Sequence, residues 1–394
     1  MYTHAVQRAR HATHVAFFVF GFVMAMFGVH VPSIRAHYRL DDGALAIALL
    51  GLAVGAVLCL ASAGRLIGAV GARRVAALAA AVMCGALALL LQTERYPLLL
   101  LTMVVLGAAV GLYDVAINTE GSFIEAALGR KVMSLMHGMW SLGGMAGALL
   151  GAWMLERGLA PLVQMRLVSA VGLAVALAAS AGLLATHTHA HDSAARQRDS
   201  SASGWRRMPP RTRRTLATLG ALAVLGLLAE GAIYDWSVLF LQRERGAEAS
   251  LAALGFAGFS GAMAVGRFGG DRLRARVSAA RLLAASAALS SLAMAVVLAW
   301  PSVPVALVGL AVVGLGLANV IPILFVTASR IEGASAAAGI ALVSSFGWIG
   351  VVIGPPIVGG VAQASSLTTA LMVVVIASAV LAMSARAVMT ADRG

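Results

Sequence analysis

The sequence predicts an all-α polytopic membrane protein: twelve transmembrane helices in two six-helix repeat halves. Three observations predict it. Of 394 residues, 60% are hydrophobic and 11% charged, with a mean hydropathy of +0.91, far from the roughly 25% charged residues of soluble domains. The chain divides into twelve apolar runs, each about as long as a bilayer-crossing helix must be. Finally, motifs in the first six runs recur in the same order in the last six.

The first six runs fall near 14–36, 44–64, 74–92, 97–120, 131–155 and 164–186. Arg8 and Arg10 precede the first, whose length and lack of a small-residue cleavage site make it a retained helix rather than a signal peptide. Cys59 and Cys84 lie in separate runs, where free cysteine behaves as a small hydrophobe, so no disulfide framework is expected. The second six runs fall near 215–242, 250–268, 278–299, 303–329, 337–361 and 366–386. Between the sets, 187–214 is polar and rich in Ser, Arg and His, with Pro209 and Pro210 near its end, which reads as a linker. The expected units are therefore 1–186, the linker 187–214 and 215–394. His187, His189 and His191 have no companion cysteine or second ligand cluster, so they read as a solvated tract rather than a metal site, and no metal or cofactor is expected.

The echoes are specific. Gly111-Leu-Tyr-Asp114-Val in the fourth run recurs as Gly316-Leu-Ala-Asn319-Val in the tenth, and Gly64-Arg65-Leu66 parallels Gly266-Arg267-Phe268. Gly143, Gly147 and Gly151 correspond to Gly350, Gly354 and approximately Gly359. Glycines at four-residue spacing let membrane helices approach closely, so this ladder reads as packing.

A formal net charge of +13 invites a nucleic-acid partner until it is mapped onto loops. With the N-terminus inside, all but seven of the 29 Lys and Arg residues fall on the inner side, the exceptions being Arg35, Arg39, Arg95, Arg157, Arg166, Arg243 and Arg245. The imbalance specifies topology with both termini cytoplasmic. The partner it implies is a lipid bilayer and not a nucleic acid.

Ionisable residues inside apolar runs mark function by default, because a charge at the bilayer centre costs at least roughly 2.5 to 3.5 kcal/mol. Asp114 in the fourth run, with Glu230 and Asp235 in the seventh, are such residues, and no Lys or Arg is expected at mid-membrane to pair with them. An unpaired acid there holds its proton until water reaches it, which describes a proton carrier. Glu230 and Asp235 lie about 140° apart on an ideal helix, so facing one cavity requires a distortion, for which Gly231 is the candidate. Glu120, near the inner end of the fourth run and off the Asp114 face, reads as structural or as an inner gate. In the fifth run His137, Trp140 and Ser141 share a helical face. An imidazole, an indole and a hydroxyl suit a hydroxylated solute. Asn118, one turn after Asp114, and Asn319 are polar candidates from the two halves, with Pro322 loosening the tenth helix. Trp348, just ahead of a Gly354-Pro355-Pro356 kink, is a candidate to line the substrate cavity, and His30 is a weaker candidate in the first run.

With these residues in place the whole chain resembles the major facilitator superfamily. Gly64-Arg-Leu-Ile-Gly68-Ala-Val-Gly71-Ala-Arg73-Arg74 is similar to its G-x-x-x-D-R-x-G-x-R-R signature between the second and third helices, with Gly68 in place of the acid and Ala69 in place of the base. The matching loop of the second half keeps Asp271 and Arg272. The resemblance implies a gating role for Gly64, Arg73, Arg74, Asp271 and Arg272, a cytoplasmic charge latch favouring the outward-open state. Asp114-Val-Ala-Ile-Asn118-x-Glu120-Gly121, Met136-His137-Gly138-x-x-Ser141-Leu-Gly143 and Ala229-Glu230-Gly231-x-x-x-Asp235-Trp236 more narrowly resemble the YbjJ-like bacterial inner-membrane branch, itself similar to fucose permeases. It implies a secondary transporter of the bacterial inner membrane working by alternating access; a monomer acting on a small-molecule substrate and protons is expected.

Proton-coupled symport of a small neutral sugar-like solute is the expected activity, and proton-driven export of lipophilic or cationic compounds the alternative. Two departures weaken export. The superfamily's antiport pattern has Arg where Leu106 stands, and its G-x-x-x-G-P pattern has Pro where Ala148 follows Gly147. An intramembrane serine enzyme at Ser141 would need a base oriented by an acid, and no second acid is placed to orient His137. A scaffold without transport would leave the buried acids unexplained.

Overall fold

The computed structural model describes residues 2–129, 132–184 and 208–385; His187, His189 and His191 lie outside them. Among the described residues there are fifteen helices and no strand. Eleven spans are long and apolar enough to cross a membrane, and a shorter apolar stretch, Leu367–Met383, follows. The chain is a multi-pass, all-helical membrane protein.

The helices are α1 (Tyr2–Val29), α2 (Val31–His37), α3 (Asp42–Val70), α4 (Ala72–Leu89), α5 (Tyr96–Leu128), α6 (Met133–Glu156) and α7 (Pro161–Gly182), then α8 (Pro210–Arg245), α9 (Ala249–Arg276), α10 (Ala279–Ala299), α11 (Val303–Leu317), α12 (Val320–Ala328), α13 (Ala336–Ala364), α14 (Leu367–Ala370) and α15 (Met372–Met383). Proline opens α5, α7, α8 and α11, where its missing N–H costs nothing. The Asp41 carboxylate caps α3 by accepting from the Ala44 amide at 2.7 Å, satisfying one orphan donor of the first turn.

Several elements differ from the sequence expectation. The first run breaks at His30 into α1 and α2. The stretch expected as a loop after the second run is helical to Val70. Gly71, at φ 88° and ψ 147°, is the whole turn before α4, a backbone open to glycine and strained for other residues. Gly64 is thus inside a helix, with Arg73 and Arg74 in the first turn of the next. The matching stretch of the second half is helical through Arg276, so Asp271 and Arg272 also sit on a helix. The tenth run is interrupted at Ala318–Asn319, four residues ahead of where Pro322 suggested a weakness, and Pro322 itself lies in the first turn of α12, where proline is tolerated. Helix α8 runs unbroken through Gly231, so the distortion expected there is absent. Helix α13 continues through Pro355 and Pro356.

Glycine governs the closest packing. A Cβ on Gly143 would strike the Phe18 carbonyl and one on Gly147 the Phe22 carbonyl, both on α1, while at Gly151 the nearest atom would be Val29 Cγ1 at 3.2 Å. The ladder is therefore the α1–α6 seam. Gly107 and Gly111 do the same for α5 against the Leu52 and Ala56 backbone of α3.

Pro210 starts α8 at one end of the bundle, here the linker end, and Arg245 closes it at the opposite, far end. At the far end Asp42, at the start of α3, accepts from Arg35 Nε at 3.2 Å and from Arg243 at the end of α8. The Gln363 side-chain oxygen near the end of α13 accepts from the Asp42 and Gly43 amides at 3.0 and 3.3 Å. This cluster ties α3 to α8 and α13.

Candidate functional site

Helices α6, α8 and α9 bring the main polar cluster together around Arg267. This guanidinium donates from one nitrogen to Glu230 Oε1 at 3.0 Å and from the other to Ser141 Oγ at 2.8 Å. Its Cζ lies 5.6 Å from the centre of the Trp140 ring, within cation–π reach. The Arg267 and Glu230 side chains are only 11% and 10% exposed. The expectation that no cation pairs with the intramembrane acids is overturned for Glu230. Arg267 was assigned to the inner loop because an arginine conventionally ends an apolar run, but α9 carries it inside the span Ala249–Gly270. A charged pair at that depth is tolerated because each partner compensates the other's lost hydration.

An aromatic wall flanks the pair. Trp140 packs on Tyr234 with ring centres 5.3 Å apart, and Tyr234 packs edge-on against Phe256 and Phe259, each at 5.3 Å. Phe20 joins Trp140 to Tyr113, and Phe17 meets the His137 ring at 5.3 Å. His137 is exposed although it lies inside a membrane-crossing helix and against Phe17. The Trp140 indole N–H is buried and has no hydrogen-bond partner among the described residues.

The other acids divide. Asp114 and Asn118 form their own pair, the Asn118 amide donating to the Asp114 carboxylate and carbonyl, both at 2.9 Å; no cation is paired with Asp114 among the described residues. Asp235 is half-buried, and no hydrogen bond or ion pair is seen at it among the described residues. Its neighbour Trp236 is completely buried, against Gly359 of α13. Glu120 accepts from the Leu184 amide at 2.8 Å and so holds the end of α7.

Other predicted site residues lie elsewhere. Asn319 accepts from Arg274 at 3.2 Å and donates to the Gly266 carbonyl at 3.2 Å. Arg274, two helical turns beyond Arg267, reaches back to Asn319, which lies against the α9 backbone at Gly266 and Gly270; no bond between Asn319 and the Arg267 guanidinium is seen among the described residues. Trp348 is half-buried on α13 and makes no ring contact with that cluster among the described residues. His30 bonds Ser33 and the Gln164 side chain, each at 3.1 Å, pinning the α1–α2 corner to α7. Arg74 and Arg272 are exposed and Arg73 half-buried.

Arg267, Tyr234 and the Asp42 cluster were missed in the sequence. The signal for Arg267 was present: a mid-depth Glu230 in one run calls for a cation in a neighbouring one. Nothing local marks Asp42 or Gln363, because their pairing is set by tertiary packing.

Comparison with known proteins bears on this arrangement. The family described as Major Facilitator Superfamily matches residues 13–331. A Yersinia pestis protein described as an uncharacterized MFS-type transporter is 33% identical over 377 residues, covering 96% of this chain and 95% of its own. The fold is similar to that of the nucleoside transporter NupG, at a TM-score of 0.76 and 14% identity over 98% of this chain and 99% of that one. It is also similar to the E. coli fucose:proton symporter FucP, at 0.65 and 16% identity over 96% and 97%. With twelve apolar segments, the family's profile over most of its length and a full-length relative of that type, the chain belongs to the major facilitator superfamily of membrane transporters.

Proposed function

We propose that the protein is a proton-coupled symporter of a small, neutral, hydroxyl-bearing solute of the sugar type, working by alternating access in a bacterial inner membrane as a monomer with both termini cytoplasmic. The halves 1–186 and 215–394 would rock about the site, with 187–214 as their joint. One observation carries the coupling: Asp114 and Asp235 are carboxyl groups at membrane depth for which no cationic partner is seen among the described residues, whereas Glu230 is neutralised by Arg267. The reading therefore assigns proton loading to Asp114 and Asp235, with Glu230 engaged in its ion pair with Arg267.

The solute class rests on the wall beside that pair. Trp140 and Tyr234 offer ring faces of the kind that stack on sugar carbons, and the Trp140 N–H, His137 and Asn118 offer hydrogen bonds. FucP is described as a fucose:proton symporter, which agrees with this reading, while NupG is described as a nucleoside transporter, another hydroxylated solute. Transport is favoured over serine catalysis because the Ser141 hydroxyl accepts from Arg267 and donates to the His137 backbone carbonyl at 3.4 Å; it does not face the imidazole as a nucleophile faces its base. Export of cationic compounds is the second reading, favoured by the carboxyl groups of Asp114 and Asp235, for which no cationic partner is seen among the described residues.

The test is uptake of a radiolabelled sugar panel into proteoliposomes under an inward proton gradient. Gradient-driven accumulation is expected for the native protein and only gradient-independent flux for Asp114→Asn/Asp235→Asn. Unchanged gradient-driven uptake by that double variant would refute the coupling. Lipophilic cations that stabilise the protein where sugars do not would establish the export reading; a ligand at 100 times its Kd adds about 2.7 kcal/mol of stability.

A further inference from the structure

A groove of about 520 Å³ lies between α9, α10 and α11, apart from the Arg267 cluster. On α9 its lining residues Val265, Gly269, Arg272 and Arg276 recur at spacings of four, three and four, a single helical face. Leu289 of α10 and Leu315 of α11 form the facing walls. Val265, Leu273, Leu289 and Leu315 are 66%, 42%, 40% and 41% exposed, as residues turned toward lipid in a membrane-crossing helix are. The floor is open at Gly269, where an added Cβ would meet nothing within 4 Å.

The polar end of the groove is cationic. Arg272 and Arg276 are exposed, one turn apart at the end of α9, and no hydrogen bond or ion pair is seen at either guanidinium among the described residues. Among the described residues the lining includes no acid. An apolar trough flanked by lipid-facing residues and ending in two guanidiniums with no ionic partner among the described residues matches an amphiphile with an anionic head and an acyl tail. Basic recesses between transmembrane helices bind such headgroups, each basic residue contributing about as much as an ion at a charged membrane surface.

We propose that this groove binds an anionic phospholipid, its phosphate between Arg272 and Arg276 and one acyl chain over Gly269 against Leu289 and Leu315. The head anchors on a fork-shaped donor pair suited to phosphate oxygens, and the chain fills space that protein side chains leave empty. The Asn319 floor residue bonds Arg274, which also donates to Ser134 of α6 at 3.3 Å. The occupied groove therefore lies directly behind a contact between α6 and α9.

The test is thermal unfolding of the purified full chain in detergent, titrated with phosphatidylglycerol, with phosphatidylcholine of the same chains, and with glycerol 3-phosphate. Phosphatidylglycerol is expected to raise the Tm of the native protein, and phosphatidylcholine and glycerol 3-phosphate to leave it unchanged. Arg272→Gln/Arg276→Gln should weaken phosphatidylglycerol binding about 30-fold. Gly269→Phe, placed where the floor is open to an added Cβ, should abolish the shift with both arginines intact, and it carries the test if the double variant fails to fold. Equal stabilisation by phosphatidylcholine, a full response to glycerol 3-phosphate, or an undiminished shift in Gly269→Phe would each overturn the proposal.

Discussion

Arg267 does at the residue scale what the apolar surroundings would otherwise forbid. Its pair with Glu230 is stable only as a pair, since two buried charges compensate each other and one alone does not. Glu230→Gln should therefore lower unfolding stability in detergent by about 3 to 5 kcal/mol, whereas replacing Glu230 and Arg267 together by apolar residues of similar volume should recover most of that loss. A Glu230→Gln protein as stable as the native one would show that the pair carries no such weight. The acids and the His137, Trp140, Ser141 face were legible in the sequence because charge and periodicity in an apolar run are local properties. Arg267 was not. An arginine near the end of a run reads as a boundary, and only the length of α9, 28 residues, draws it inward. Asn319 was legible as a polar residue at depth, but its partner Arg274 follows from how α11 packs against α9.

Among elements, glycine placement separates what sequence pattern shows from what it suggests. The Gly143, Gly147, Gly151 spacing announces a helix contact, and the structure supplies its partner, α1. Gly143→Leu would drive a side chain into the Phe18 backbone, where overpacking costs about 1 to 3 kcal/mol or more; loss of monodisperse elution and of thermal stability are the readouts. Gly231 is the contrasting case. It sits in an unbroken helix with open space beside it, so Gly231→Ala should stabilise α8 by about 0.5 to 1 kcal/mol, the usual gain in a helix interior. A destabilised Gly231→Ala protein would mean that α8 needs to bend there in some other state. The loops expected around Gly64 and Asp271 are helical for a related reason: glycine and arginine punctuate soluble chains, but helices that leave the bilayer continue past the lipid boundary, and within the described residues 64–74 and 266–276 positive φ is found at Gly71 alone.

For the whole molecule, the twelve segments, the superfamily and the multi-pass membrane character were all visible in hydropathy and motif, because bilayer thickness imposes one length on every crossing. Which ends of the bundle touch was not visible, since that is decided by side chains distant in sequence. Asp42 joins Arg35 and Arg243, and Gln363 reaches the Asp42 and Gly43 amides from α13. Asp42→Ala should open the far end more often. In a background lacking Cys59 and Cys84, a probe cysteine at Ala46, which packs against Gly359, should then react faster with a water-soluble maleimide, and equal rates with and without the substitution would contradict a latch. The two attachments differ in kind. One is ionic and partly open to solvent, with Arg243 38% exposed; the other is a neutral amide holding backbone N–H groups. Dissolved ions screen only the first, over a Debye length of about 8 Å at physiological strength. The far end thus carries a built-in salt response with a floor: labelling at position 46 should rise with sodium chloride and then level off, and Gln363→Ala should raise the level at which it does.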